Sequence, residues 1–199
     1  MTGERLMRSF FDRSPDEVAH DLVGTVLVVH DRNREARALV VETEAYGGVD
    51  DPASHAFRGP TKRSAVMFGS PGVLYVYRIY GLHWCMNVVT EAANTASAVL
   101  LRAAELYGSP SDARSEKESV LLRGPGNLTR GLGVTGDDNG MDCCQELESR
   151  ITFCEGTASD VQSRISQTPR IGISKGQERL SRYFLDSHPA VSRVPGFRN

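Results

Sequence analysis

Apolar positions along this chain recur mostly at a spacing of two, in short runs broken by glycine, proline and charged residues. The first run differs. Val18, Leu22 and Val23 share a helical face behind Ser14-Pro15-Asp16-Glu17, which offers an N-cap, a proline at the first helical position and a glutamate three residues after the cap. That pattern predicts a short helix stopped by Gly24. Residues 25–30 predict a valine-rich strand, 31–35 a polar turn and 38–43 a second strand, together a hairpin. Residues 47–64, rich in Gly, Pro and Asp, predict a long loop, and a loop of that length in a small domain is usually functional or disordered. This one holds His55 and Phe57 with Arg58, Lys62 and Arg63, which favours function.

Residues 74–80 and 84–91 are β-prone and separated by Gly81-Leu82-His83, so they predict a tight hairpin with Tyr80 at or beside its tip. Residues 97–102 predict another apolar strand. Residues 105–119 carry no assignable pattern. Gly124–Asn127 reads as a turn able to start a helix through Leu132, and 150–154 and 170–174 read as short strands. Residues 177–185 predict a final helix with Leu180 and Phe184 inward. Antiparallel hairpins with a few helices, without βαβ alternation, predict an α+β fold, one domain over residues 1–199.

At 199 residues one core suffices without disulfides or a structural metal. No apolar run of about 18 residues exists and the first residues lack an apolar leader, so the expectation is a cytoplasmic protein without a membrane span. Cys143 and Cys144 are adjacent and Cys85 and Cys154 stand alone, which predicts reduced thiols. The five histidines show no metal-ligand spacing. A net charge of −2 speaks against a general nucleic-acid coat. Local basic patches remain: Arg58, Lys62 and Arg63, and Arg164, Arg170, Lys175, Arg179, Arg182, Arg193 and Arg198. On composition alone, ordinary solvated charge is the simpler reading of both.

Candidate chemistry changes that picture. Glu42 and Glu44 fall on one face if the strand continues, as carboxylates sharing acid and base work would, although spacing alone favours solvated edge residues. Tyr75, Tyr77 and Tyr80 lie close together, with Tyr46 and His55 upstream. Tyr75 reads as core. Tyr77 and Tyr80 are open between core packing and stacking on bases, with Tyr80 out of phase as a projecting side chain would be. Asn87 and Arg102 interrupt apolar strands, where a polar side chain must tie strands together or line a pocket.

These residues sit in an ordered set of motifs: Val41-Glu-Thr-Glu-Ala-Tyr46, His55 within Ala53-Ser-His-Ala, Met67-Phe68, Pro71-Gly72, Leu74-Tyr-Val-Tyr77, Ile79-Tyr-Gly81, Cys85-Met-Asn87, Val99-Leu-Leu-Arg-Ala103, Gly124-Pro125 and Pro169-Arg-Ile-Gly172. The set resembles the alkyladenine (3-methyladenine) DNA glycosylases from about residue 10 to the end. The resemblance implies a single domain on a curved antiparallel sheet with a protruding hairpin, a monomer that acts on duplex DNA holding damaged purines, and no metal or cofactor. It also implies Glu44 as the base that activates water and Tyr46, His55, Tyr77 and Asn87 as the base pocket, Asn87 against guanine. Tyr80 corresponds to the side chain inserted into the duplex and Arg102 to a residue near the water and sugar-phosphate. Arg58, Lys62, Arg63 and Arg170 are expected at the DNA backbone. The chain carries Thr61-Lys-Arg-Ser64 where family members often carry Thr-Pro-Arg-Asn. No lysine neighbours Glu44 in sequence, so strand cleavage is not expected. Three competing readings are a binding module that does not cut, a hydrolase of free nucleosides or RNA, and a structural domain with Tyr77 and Tyr80 in its core.

Overall fold

A computed structural model describes residues 3–31, 34–107, 120–145, 149–156 and 164–192. Its organising strand is β2 (Arg34–Tyr46), which pairs along one edge with β5 (Ser97–Tyr107) and along the other first with β1 (Val26–Asp31), then with β9 (Arg182–Leu185). Beyond β5 come β4 (His83–Thr90) and β3 (Leu74–Ile79), and beyond β1 comes β7 (Ile151–Cys154). β6 (Val120–Leu122) pairs with β5, and β8 (Ile165–Thr168) with β9. All pairings are antiparallel, and the sheet curls into a half-barrel with a few short helices, an α+β fold.

Alternation separates two faces. Leu74 and Val76, Met86 and Val88, Val99 and Leu101, and Val41 and Ala45 enter one large core with helices α1 (Arg8–Phe11), α2 (Pro15–Leu22) and α3 (Pro125–Leu132). The intervening residues line the concave face. α2 starts as expected: Ser14 accepts from Glu17 N and the Glu17 carboxylate takes the Ser14 N–H. Its Val18, Ala19 and Leu22 are fully buried, and each large apolar side chain so buried stabilises by about 1.5–3 kcal/mol.

One irregularity sets which residues face the concavity. Val40 and Val41 are adjacent yet both enter the core, as do Ala103 and Ala104. Regular strands cannot do this, and the β2–β5 register shifts on each side of Glu42, leaving Val41 on β2 and Arg102 on β5 unmatched. Without the shift, alternation from Val40 would turn Glu42 and Glu44 into the apolar core.

Several expectations change. Residues 170–174 form an irregular loop, not a strand. Residues 177–185 do not form a helix: β9 occupies their end, Phe184 is buried and Leu180 is exposed. The Leu180–Phe184 spacing mimics a helical face, but Tyr183, Phe184 and Leu185 gain burial and ladder hydrogen bonds by pairing with β2 and β8. β2 runs past 43 to Tyr46 and β5 past 102 to Tyr107, so residues 105–107 are strand; 108–119, Arg193 and Arg198 lie outside the described residues. All four cysteines are free thiols, and no helix among the described residues is long and apolar enough to cross a membrane.

Candidate active site

The concave face is built strand by strand. β3 contributes Tyr75, Tyr77 and Ile79, β4 Cys85 and Asn87, β5 Ala98, Leu100 and Arg102, and β2 Tyr46, all lining one cleft of about 500 Å³. Loop residues Ala53, His55 and Arg63, with Met67 from the 3-10 turn Ala65–Phe68, form a second wall and residues 171–175 a third. The long loop is ordered by Asp51, which accepts from Gly47 N and Ala53 N and pairs with Arg170 across the cleft rim.

The aromatic side chains are packed against one another. His55 meets Tyr77 edge-on at 4.6 Å between centroids, and Tyr75 lies 5.2 Å from Tyr77. Tyr75 is core, as read from sequence, with its hydroxyl 2.9 Å from His55 Nδ1. Burial and the nearby Arg63 hold His55 below its usual pKa, favouring a neutral ring. Arg63 lies 4.7 Å over the Tyr77 ring. Asn87 is buried and donates from Nδ2 to the Tyr75 carbonyl at 2.9 Å, which fixes its amide in the cleft floor.

Glu44 is 0% exposed and lies behind the cleft wall. Three groups that line the cleft hold it. Tyr46 donates its hydroxyl to Oε2 at 2.9 Å, Arg102 donates Nη1 to Oε2 at 3.1 Å, and the Ile171 backbone N–H reaches Oε1 at 2.7 Å. A carboxylate has about four acceptor positions, so roughly one is left for a further donor such as water. Burial pushes the Glu44 carboxyl above its usual range, against the pull of Arg102. Glu42 points the same way but is closed off. Arg102 Nε and Arg182 Nε reach its Oε1 at 3.0 and 2.7 Å, and Ser192 N reaches Oε2 at 2.8 Å. Burial raises the Glu42 carboxyl, but the two guanidinium groups and Ser192 override it and leave it low. The pair therefore divides: Glu42 is an ion-pair anchor, and Glu44 retains basicity beside the cleft.

Tyr80 is 86% exposed at the β3–β4 turn, with Leu82 exposed next to it. Its φ of 51° and the 69° of Gly81 are left-handed, the geometry of a tight turn. Tyr80 therefore lies at the cleft and outside the core, against the reading that buries both Tyr77 and Tyr80. Arg58 and Lys62 are exposed on the loop wall, whereas Ser64 is buried and hydrogen-bonds Thr61. Two basic residues read as surface charge are not on the surface. Arg170 is buried, with Nη2 2.9 Å from Asp51 and its guanidinium 4.6 Å over Tyr46, so its charge is committed within the protein. Arg182 is buried on Glu42. Sequence reading missed the Ile171 N–H, Met67 and the 171–175 wall; the Pro-Arg-Ile-Gly motif was the available signal for the first.

A model of the methylpurine-DNA glycosylase (MPG) family matches residues 9–189. The chain is 45% identical to a candidate 3-methyladenine DNA glycosylase of Rhodopseudomonas palustris (strain BisB18), over 96% of this chain and 92% of the relative. It is 44% identical to one of Anaeromyxobacter sp. (strain Fw109-5), over 96% and 94%. It is 41% identical to one of Ehrlichia chaffeensis (strain ATCC CRL-10679 / Arkansas), over 90% and 92%.

Proposed function

The chain belongs to the methylpurine-DNA glycosylase family, and we propose that it excises alkylated and deaminated purines, 3-methyladenine foremost, from duplex DNA by extruding the nucleotide and hydrolysing its N-glycosidic bond. The observation that carries this reading is Glu44, a buried carboxylate of raised pKa held at the cleft by Tyr46, Arg102 and Ile171 N.

The C1′ atom is inaccessible inside the stack, so the nucleotide must leave it at a cost of a few kcal/mol, about least for a poorly paired base. Tyr80, projecting from the hairpin, stacks in the vacated gap and offsets part of that cost. The extruded purine enters among Tyr46, His55 and Tyr77. A 3- or 7-alkylpurine is cationic, which suits tyrosine faces and makes it a good leaving group. Asn87, held rigidly by the Tyr75 carbonyl, crowds the position a guanine 2-amino group would take. The C1′–N bond breaks with its electron pair going to the purine. A water then bonds to C1′ and gives its proton to Glu44, which also stabilises the developing positive charge on the sugar. Arg102 steadies Glu44 and faces the sugar-phosphate. Arg58, Lys62 and Arg63 meet the DNA backbone, while Arg170 acts from within by bracing Tyr46.

The product is an intact strand with an abasic site. Lys175 lines the outer wall but is exposed, without the dry pocket that activates an amine nucleophile. The decisive experiment incubates the protein with duplexes that each hold one lesion and assays cleavage with and without alkali. Alkali-dependent cleavage at 3-methyladenine or hypoxanthine supports the reading. Release of base from free nucleosides without duplex dependence would replace it with a nucleoside hydrolase.

A further inference from the structure

Arg102 bridges Glu42 and Glu44 of β2. Its Nε is on Glu42 at 3.0 Å and its Nη1 on Glu44 at 3.1 Å. Glu42 is gripped from the far side by Arg182 Nε, whose other nitrogens reach Thr168 Oγ1 and Ser192 O at 3.1 Å each. The C-terminal segment closes the cage by placing Ser192 N on Glu42 Oε2. The cluster contains two carboxylates and two guanidinium groups, all at most slightly exposed.

We propose that Glu42 is a positioning residue for the hydrolytic site, holding Arg102 by its Nε edge so that this guanidinium touches Glu44 through one nitrogen and leaves one acceptor position of the buried carboxylate unfilled. A guanidinium released from Glu42 prefers two parallel hydrogen bonds to a carboxylate. On Glu44 that fork would occupy the acceptor position needed for water. It would also concentrate on Glu44 a positive charge now shared with Glu42, making Glu44 a weaker base. Glu42 is thus the counterweight that keeps Arg102 from quenching Glu44. The other groups facing Glu44 are Tyr46 from its own strand, Cys85 on β4 and Arg170 on the loop after β8; Arg182 on β9 pairs with Glu44 through the backbone while its guanidinium lies on Glu42.

This inference rests on Glu44 being the base, so Glu44→Gln is measured in the same series. The experiment compares pH profiles of single-turnover excision for the full-length wild type, Glu42→Gln and the double variant Glu42→Gln/Arg182→Met, each checked by thermal unfolding. Glu42→Gln leaves one guanidinium in excess, and the acidic limb should move down by about one pH unit while the plateau rate falls about tenfold. The double variant restores charge balance and should place its limb between the other two; it carries the test if Glu42→Gln does not fold. A limb at the wild-type pH in the folded variants, whatever the plateau loss, would mean that Glu42 only holds the fold and would overturn the proposal. Near-wild-type excision by Glu44→Gln would instead sink the base assignment itself.

Discussion

Glu44 combines two properties that usually oppose each other: it is fully buried, yet three hydrogen bonds hold its oxygens toward a cleft. In Glu44→Gln the amide oxygen can still take the Ile171 N–H, but the NH₂ meets Arg102 donor to donor. Excision should fall by about 10²–10⁴-fold or more with lesion binding retained, measured by single-turnover kinetics beside a gel-shift titration. Wild-type turnover in that variant would exclude the carboxylate as base. Because burial raises the Glu44 carboxyl above its ordinary 4.5, the wild-type rate should decline as pH falls while still above that value. Asn87 offers a second residue-level test. Asn87→Ser removes the amide fixed to the Tyr75 carbonyl and should raise guanine release relative to 3-methyladenine; an unchanged ratio would contradict its part in discrimination.

At the scale of elements, the β3–β4 hairpin trades backbone comfort for reach. Tyr80 adopts a left-handed φ of 51°, which costs a non-glycine residue about 1–2 kcal/mol, and its ring packs on little in return. Tyr80→Gly relieves that strain while adding about 0.5–1 kcal/mol of unfolded-state entropy. Its melting temperature should therefore stay level or rise slightly, while a fluorescent base analogue beside the lesion reports less flipping. Unaltered flipping fluorescence would remove the wedge role. The α2 cap shows the opposite economy, since Ser14 serves the fold alone. Ser14→Ala should cost about 1 kcal/mol of stability by denaturant titration and leave the excision rate of folded protein unchanged.

At the scale of the whole molecule, two loops far apart in sequence are pinned by one buried ion pair, Asp51 with Arg170, which also reaches the Ala45 carbonyl. Removing one partner leaves an uncompensated buried charge, so Arg170→Met should destabilise by about 3–5 kcal/mol, with partial recovery in Asp51→Leu/Arg170→Met. Full additivity of the two single changes by chemical denaturation would argue against coupling. Burial opposes ionisation of Asp51, but Arg170 and two backbone donors leave its pKa below 3.8, and Glu42 is likewise below 4.5. Groups depressed in this way stabilise the fold above their unfolded pKa, and that stability is lost as pH falls through the lower folded values. Glu44 runs the other way. Acid should therefore silence excision before it unfolds the protein, a separation visible by comparing rate and circular dichroism across the same pH series.

Local pattern was enough for the capping box of α2, the β1–β2 and β3–β4 hairpins and the projection of Tyr80, because each depends on residues adjacent in sequence. The ordered motifs likewise singled out Tyr46, His55, Tyr77, Asn87 and Arg102, which the fold brings to one cleft, and Glu44, which lies behind its wall. Burial of charge was not legible. Arg170 and Arg182 read as surface residues because nothing near them in sequence reveals that Asp51 and Glu42 will meet them across the sheet. For the same reason the 177–185 segment read as a helix: its pairing with β2 depends on a partner about 140 positions away. Which way the carboxyls of Glu42 and Glu44 shift was decided only in three dimensions. Alternation puts both on one face, but a carboxylate's pKa follows the charges and donors gathered around it, and those come from β5, β9 and two loops that only the folded chain brings together.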